Sequence, residues 1–137
     1  MSTPARTEVV FRVVGAFDSV EEITEKLGIA PTEAYCKGEV VPRHPERRYP
    51  NGYWGLESSP SEDQCLADHL HSLLTILEDK SDSIRELQES GHQCDLFCGV
   101  FTEDECEVAI ELEPGMLSRI GCLGISLDIR TYAGSHG

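Results

Sequence analysis

Trp54 and Tyr53, followed by Glu57 and Ser58, set a stacking surface beside hydrogen-bonding groups, the combination that holds a small polar molecule. A few residues earlier, the segment VPRHPERRYP gathers Arg43, Arg47 and Arg48 in an otherwise acidic chain. Arginine's planar fork suits bidentate capture of a carboxylate or phosphate, so a small acidic ligand fits this segment. If the segment folds over the Trp54 strand, Tyr35, Lys37 and Arg43 complete a pocket. Each feature also has a plainer reading. Large aromatics on strands usually pack inward, which makes Trp54 a core anchor, and surface arginines commonly pair with neighbouring acids at little energetic consequence.

Other groupings of reactive side chains are weaker. His92, Cys94, Cys98 and Cys106 are residue types that zinc accepts. On a strand, however, Cys94 and Cys98 lie roughly 13 Å apart at a rise of ~3.3 Å per residue, too far to share one ion. No metal is therefore expected. Nucleophilic catalysis would need Cys36 to meet His44, or Ser58 to meet His69 or His71, together with a third group that orients the histidine. His69 and His71 stand two apart on a helix and face different directions, so they do not form a paired metal motif. Glu103, Asp104 and Glu105 fall at a turn, where exposure is the ordinary outcome. No phosphate loop, nucleophile elbow or metal signature is present, so no catalytic residue and no cofactor is assigned.

Charge narrows the classes of partner. The chain has 137 residues with 25 acidic against 11 basic side chains, a formal net charge of −14. A field of that sign repels phosphate backbones and anionic lipid, which excludes nucleic acid and a membrane surface as expected partners and favours a basic protein. No apolar run approaches the ~20 residues of a membrane helix. Met1 to Glu8 lack the charged start and apolar stretch of a secretory signal, so the expected location is the cytoplasm. In that compartment the six cysteines are expected as free thiols.

The elements that must position these residues follow from periodicity. Glu8–Val14 alternates, with Val9, Phe11 and Val13 on one face and Val10, Arg12 and Val14 on the other, and reads as a first strand. Asp18 or Ser19, with Glu21 or Glu22 three residues on, caps a helix carrying Val20, Ile23 and Leu27 and stopped by Gly28. From Ile29 to Asn51 periodicity is lost among Pro31, Pro42, Pro45 and Pro50, and an irregular loop is expected. Gly52–Ser58 resumes a strand. Ser61 and Gln64 offer a capping box for a helix whose stripe is Leu66, Leu70, Leu73, Leu74 and Leu77. Lys80–Ser81 interrupts it before a shorter helix with Ile84 and Leu87. Gln93–Phe101 and Cys106–Leu112 are expected as an antiparallel hairpin, Leu96 and Val100 facing Val108 and Ile110. Pro114 starts a last helix ended by Gly124, and Ile125–Arg130 alternates as a closing strand before a loose tail from Ala133 to Gly137. No internal repeat is present.

These elements predict a single α+β domain over residues 1–137 with its core at about 8–132. The expected architecture is one mixed sheet of about five strands, with helices packed mainly on one face. Their order resembles the bacterial family catalogued as domain of unknown function 4279. The similarity rests on the opening strand and helix ending in LGIAPT, Lys37-Gly38, the GYWGLES strand, the leucine helix and the closing GISLDIRTY strand, from about Val9 to Tyr132. The resemblance implies a compact α+β domain that usually stands alone and supplies no catalytic residues. Function is thus expected to be non-enzymatic binding of a partner, with neutralisation of a basic protein as the leading form. The alternative is a small-molecule domain built on Trp54 and the arginine loop, and a homodimer through a sheet edge is a third expectation.

Overall fold

The computed structural model describes residues 6–60, 64–102 and 109–133. Strand β1, Arg6–Gly15, organises the fold because its alternation of apolar and polar residues gives it one buried face. Val9, Phe11 and Val13 have no solvent exposure. β1 pairs antiparallel with β5 (Gly52–Glu57) on one side and with β6 (Gln93–Thr102) on the other. The short β2, Glu33–Tyr35, adds antiparallel to the outer edge of β5, and β7, Ser126–Ala133, adds parallel to β6. The five-stranded order is β2-β5-β1-β6-β7, a mixed sheet.

Four α-helices cover one face of this sheet among the described residues. In α1, Val20–Leu27, the Ser19 hydroxyl accepts the Glu22 N–H at 3.4 Å, and Gly28 ends the helix at φ +69°, where its N–H reaches the Thr24 carbonyl at 2.7 Å. α2, Leu66–Leu77, buries Leu70, Leu73, Leu74 and Leu77. A 3-10 turn at Glu78–Lys80 separates it from α3, Ser81–Glu89, which contributes Ile84 and Leu87. α4, Pro114–Leu123, crosses from β6 to β7 and adds Ile120 and Leu123. These stripes meet Val9, Phe11, Val13, Trp54, Leu96 and the thiols of Cys94 and Cys98 in a single core.

The structure departs from the sequence reading in three places. β6 does not form a hairpin with Cys106–Leu112. From Asp95 to Phe101 both of its edges are already taken, by β1 and by β7. Residues 109–113 form no strand, and the expected turn and the start of that strand lie outside the described residues. The sheet reaches five strands through β2 instead.

The segment from Ile29 to Asn51 is not an irregular loop. It holds β2 and a separate antiparallel ribbon of β3 (Val40–Val41) and β4 (His44–Arg48). Proline is compatible with an isolated two-stranded ribbon because each strand has a free edge that needs no ladder donor. Backbone bonds moor the ribbon: Gly38 N–H to the Tyr49 carbonyl at 2.9 Å, Tyr49 N–H to Glu39 at 3.0 Å, and Lys37 N–H to Phe17 at 3.1 Å.

The Ser61/Gln64 capping box is also absent from the helix start. α2 begins at Leu66 after Cys65, which makes no side-chain cap, while Ser61 lies outside the described residues. No described helix is long and apolar enough to cross a membrane.

Candidate binding face

The alternation that buries Val9, Phe11 and Val13 turns Arg6, Glu8, Val10, Arg12 and Val14 to the side away from the helices. Strand register then fixes what surrounds each of them. Glu33, Gly55, Arg12, Asp95 and Ser126 stand in one row across the sheet, and Tyr35, Tyr53, Val14 and Gln93 form the row beside it. On the other side follow Glu57, Val10, Phe97 and Asp128, then Glu8, Gly99 and Arg130, and finally Arg6, Phe101 and Tyr132. No side chain on this face is buried; only Gly55 and Gly99 are.

Arg12 sits at the centre. It donates from Nε to Asp95 Oδ1 at 2.8 Å and from Nη2 to Asp95 Oδ2 at 2.6 Å, a bidentate pair, and Asp128 lies 3.9 Å away. The Asp95 hydrogen bond raises the Arg12 pKa above its ordinary value, against the opposing effect of burial. The guanidinium carbon stands 4.7 Å from the Phe97 ring centre, and that of Arg130 stands 5.9 Å away. At the far end Arg6 lies 4.0 Å over Phe101, which stacks on Tyr132 with centroids 4.8 Å apart. These contacts hold the arginines in fixed positions while leaving them in reach of solvent.

Two glycines shape the surface. A Cβ at Gly55 would come within 2.6 Å of the Tyr53 hydroxyl oxygen, so the missing side chain is what lets Tyr53 lie along the sheet toward Arg12. Half-buried there, Tyr53 has its phenol pKa raised, first by burial and then by Glu33. A Cβ at Gly99 would meet the Phe101 ring at 3.1 Å. Beyond Tyr53, Tyr35 stacks at 5.3 Å, and Tyr49 stacks on Tyr35 at 3.6 Å, which joins the β3–β4 ribbon to the sheet edge.

The residues anticipated from sequence are distributed differently from the expectation. Tyr35, Tyr53 and Glu57 belong to the open face. Lys37, Arg43, Arg47 and Arg48 are exposed on the ribbon and the turn before it, with Arg48 donating to the Gly38 carbonyl at 2.9 Å. Trp54 points the opposite way from Tyr53. It is fully buried, edge-on to Phe11, and its indole N–H donates to the Thr24 hydroxyl at 3.0 Å. It therefore offers no surface to a ligand, which corrects the expectation of a pocket built on it. The plainer reading, a core anchor, is the one the packing supports.

Ser58 lies on the helix side, where its hydroxyl is 2.5 Å from His69 Nδ1. The two residues do meet, but His69 is 2% exposed and its Nε2 has no hydrogen-bond partner among the described residues. Among the described residues no carboxylate orients it, so they complete no triad. His71 instead faces Arg119, which makes a bidentate pair with Glu78. Cys94 and Cys98 sit in the core, where burial pushes both thiols up to about 12 and keeps them protonated. The described residues contain no group of three or more potential metal ligands. A surface cavity of about 640 Å³ lies away from this face, against Met116 and Arg119, and another of about 420 Å³ opens at its margin, where His92 meets Gln93, Asp95 and Ser126 of the open face.

Arg12, Asp95, Phe97, Asp128 and Tyr132 were not anticipated as site residues. For the first four the signal was the alternation that identified their strands, since a polar or aromatic residue between two inward-facing residues stands on the uncovered side, whereas Tyr132 lies beyond the Ile125–Arg130 alternation read from the sequence.

The arrangement defines an α+β protein in which, among the described residues, one sheet face is covered by helices and the other is open and bears aromatic and paired charged side chains. The family model described as domain of unknown function (DUF4279) matches residues 5–134, nearly the whole chain, and the chain belongs to that family. No curated protein and no solved structure matches it.

Proposed function

We propose that this chain is a non-enzymatic binding protein that receives a basic protein partner on the open face of its sheet. The observation that carries the reading is the composition of that face. Tyr35, Tyr53, Phe97, Phe101 and Tyr132 alternate there with Arg6, Arg12 and Arg130, and no lysine is present. Tyrosine and arginine are the residue types that dominate binding hot spots, whereas an ordinary solvated face is rich in lysine.

The sign of the partner follows from charge. Glu8, Glu33, Glu57, Asp95 and Asp128 outnumber the three arginines, each of which is held against a carboxylate, an aromatic ring or both. Glu33 and Glu57 make no ion pair among the described residues, and the net charge of −14 adds a long-range attraction for cationic surfaces. Neutralisation of a basic effector in the bacterial cytoplasm fits this field, and the free thiols of Cys36, Cys65, Cys94, Cys98 and Cys122 accord with a reducing compartment.

Native mass spectrometry of protein gently purified from its own host, followed by cross-linking, tests the reading. A basic protein is expected to be retained, to cross-link to β1, β6 or β7 on the open side, and to dissociate as salt is raised. A retained small molecule, or cross-links confined to the helices, would overturn it.

A further inference from the structure

The two edges of the sheet are built differently. β2 is three residues long, lies just after Pro31 and carries Glu33. Short length, nearby proline and charge are the means by which proteins keep an edge strand from pairing with another chain. β7 is eight residues long, contains neither proline nor lysine, and has no strand on its outer side among the described residues.

The sequence of β7 is also complementary to itself. Ile129 is flanked by Asp128 and Arg130, opposite charges on the same face of the strand. Within one chain they meet only at 3.4 and 3.5 Å, and Arg130 keeps 61% of its side chain exposed. Tyr132, also on β7, is 43% exposed, and Leu117 on α4, the helix that packs over β7, is 51% exposed.

We propose that the chain forms a homodimer in which β7 pairs antiparallel with β7 of a second copy, about a two-fold axis at Ile129. In this register Asp128 stands opposite the partner's Arg130, and Arg130 opposite the partner's Asp128. Directly opposed unlike charges favour a cross-strand pair, whereas a shift of one residue in the axis would set like charges or unmatched residues across from each other. Ile129 at the centre is compatible with either the hydrogen-bonded or the non-hydrogen-bonded kind of antiparallel pair, so the backbone imposes no obstacle. The two-fold axis stands normal to the sheet, which joins the two five-stranded sheets into one and places both copies of α4, with Leu117, on the same side. The open face becomes twice as wide, and each partner-binding surface continues into the next.

Two chains of like charge repel at long range, so the dimer tightens as salt is added, the opposite of the response expected for a basic partner. The dimer and the partner-binding reading can therefore fail independently. Sedimentation velocity in about 0.15 M salt, where a Debye length of about 8 Å damps the repulsion between whole chains and spares the contact pairs, is expected to show a dimer. Asp128→Arg alone, or Arg130→Asp alone, should weaken it at least tenfold, and the double exchange should restore it. Circular dichroism confirms that each variant is folded. On the unaltered protein, amide exchange at Leu127–Thr131 should slow as concentration rises. Sedimentation as monomer up to about 1 mM, the weak end of specific association, would overturn the proposal. So would a dimer indifferent to both single exchanges, or β7 amides whose exchange ignores concentration.

Discussion

Phe11 and Arg12 are neighbours on one strand, yet they belong to two surfaces with different rules. On Phe11's side, Trp54, Leu73, Leu96 and the other core residues are packed out of water, and their worth lies in volume and fit. On Arg12's side no side chain is fully enclosed, and order comes from directional contacts: a bidentate ion pair, rings stacked on rings, guanidinium groups lying on aromatic faces. The first surface stabilises the fold. The second keeps large, polarisable groups in fixed positions without removing them from solvent, the condition under which binding costs little conformational entropy.

Substitutions should separate the two surfaces. Trp54→Ala is expected to cost about 3 to 5 kcal/mol in urea unfolding, as a cavity in a closed core does. A loss below about 1 kcal/mol would mean that Trp54 is not the anchor its burial implies.

Alkaline pH probes the same side. Burial holds the Cys94 and Cys98 thiols at about 12, whereas an unfolded cysteine ionises near ~8.5. Between these values the unfolded chain has released protons that the folded chain keeps, so stability is fully present below the window and falls as pH rises through it. The Cys94→Ala/Cys98→Ala double variant should flatten the decline, and a slope equal to that of the parent would exclude these thiols as its source.

On the open side the effects should be smaller. Arg12→Ala leaves Asp95 without its fork and is expected to cost about 1 to 2 kcal/mol, because both groups are partly hydrated. Asp95→Asn in the Arg12→Ala background should then recover part of that loss. No recovery would show that the pair acts through packing alone. Smallest in stability is Gly55→Ala, which pushes the Tyr53 ring off the sheet. Phenol absorbance should then show Tyr53 titrating nearer its ordinary value, and an unchanged titration would mean that the glycine does not shape this surface.

Much of this contrast was legible in the sequence. Periodicity alone assigned Val9, Phe11 and Val13 to one side of β1 and Arg12 to the other, and it located the leucine stripe of α2. Neighbours were not legible. Nothing local says that Arg12 meets Asp95 rather than another carboxylate, because strand order is decided by which edges are filled first. The same ignorance produced the hairpin that β7 displaced. For Trp54 the sequence offers two readings, a core anchor and a ligand surface; the anchor holds, while Tyr53 beside it faces outward, because adjacent strand residues point to opposite sides. The ribbon at β3 and β4 escaped notice because its strands are too short to show alternation and proline dominates the local composition.

The central position of β1 also has a temporal side. Made before β6 in chain order, it must wait for a partner that follows much later, since Arg12 and Asp95 are 83 residues apart. Long-range pairing of this kind slows folding, because the chain closes a large loop before the contact rewards it. Until β6 is synthesised, the Val9-Phe11-Val13 stripe has no sheet on one side and remains a target for chaperones or for other nascent chains. The net charge of −14 would, in that interval, keep unfinished copies apart.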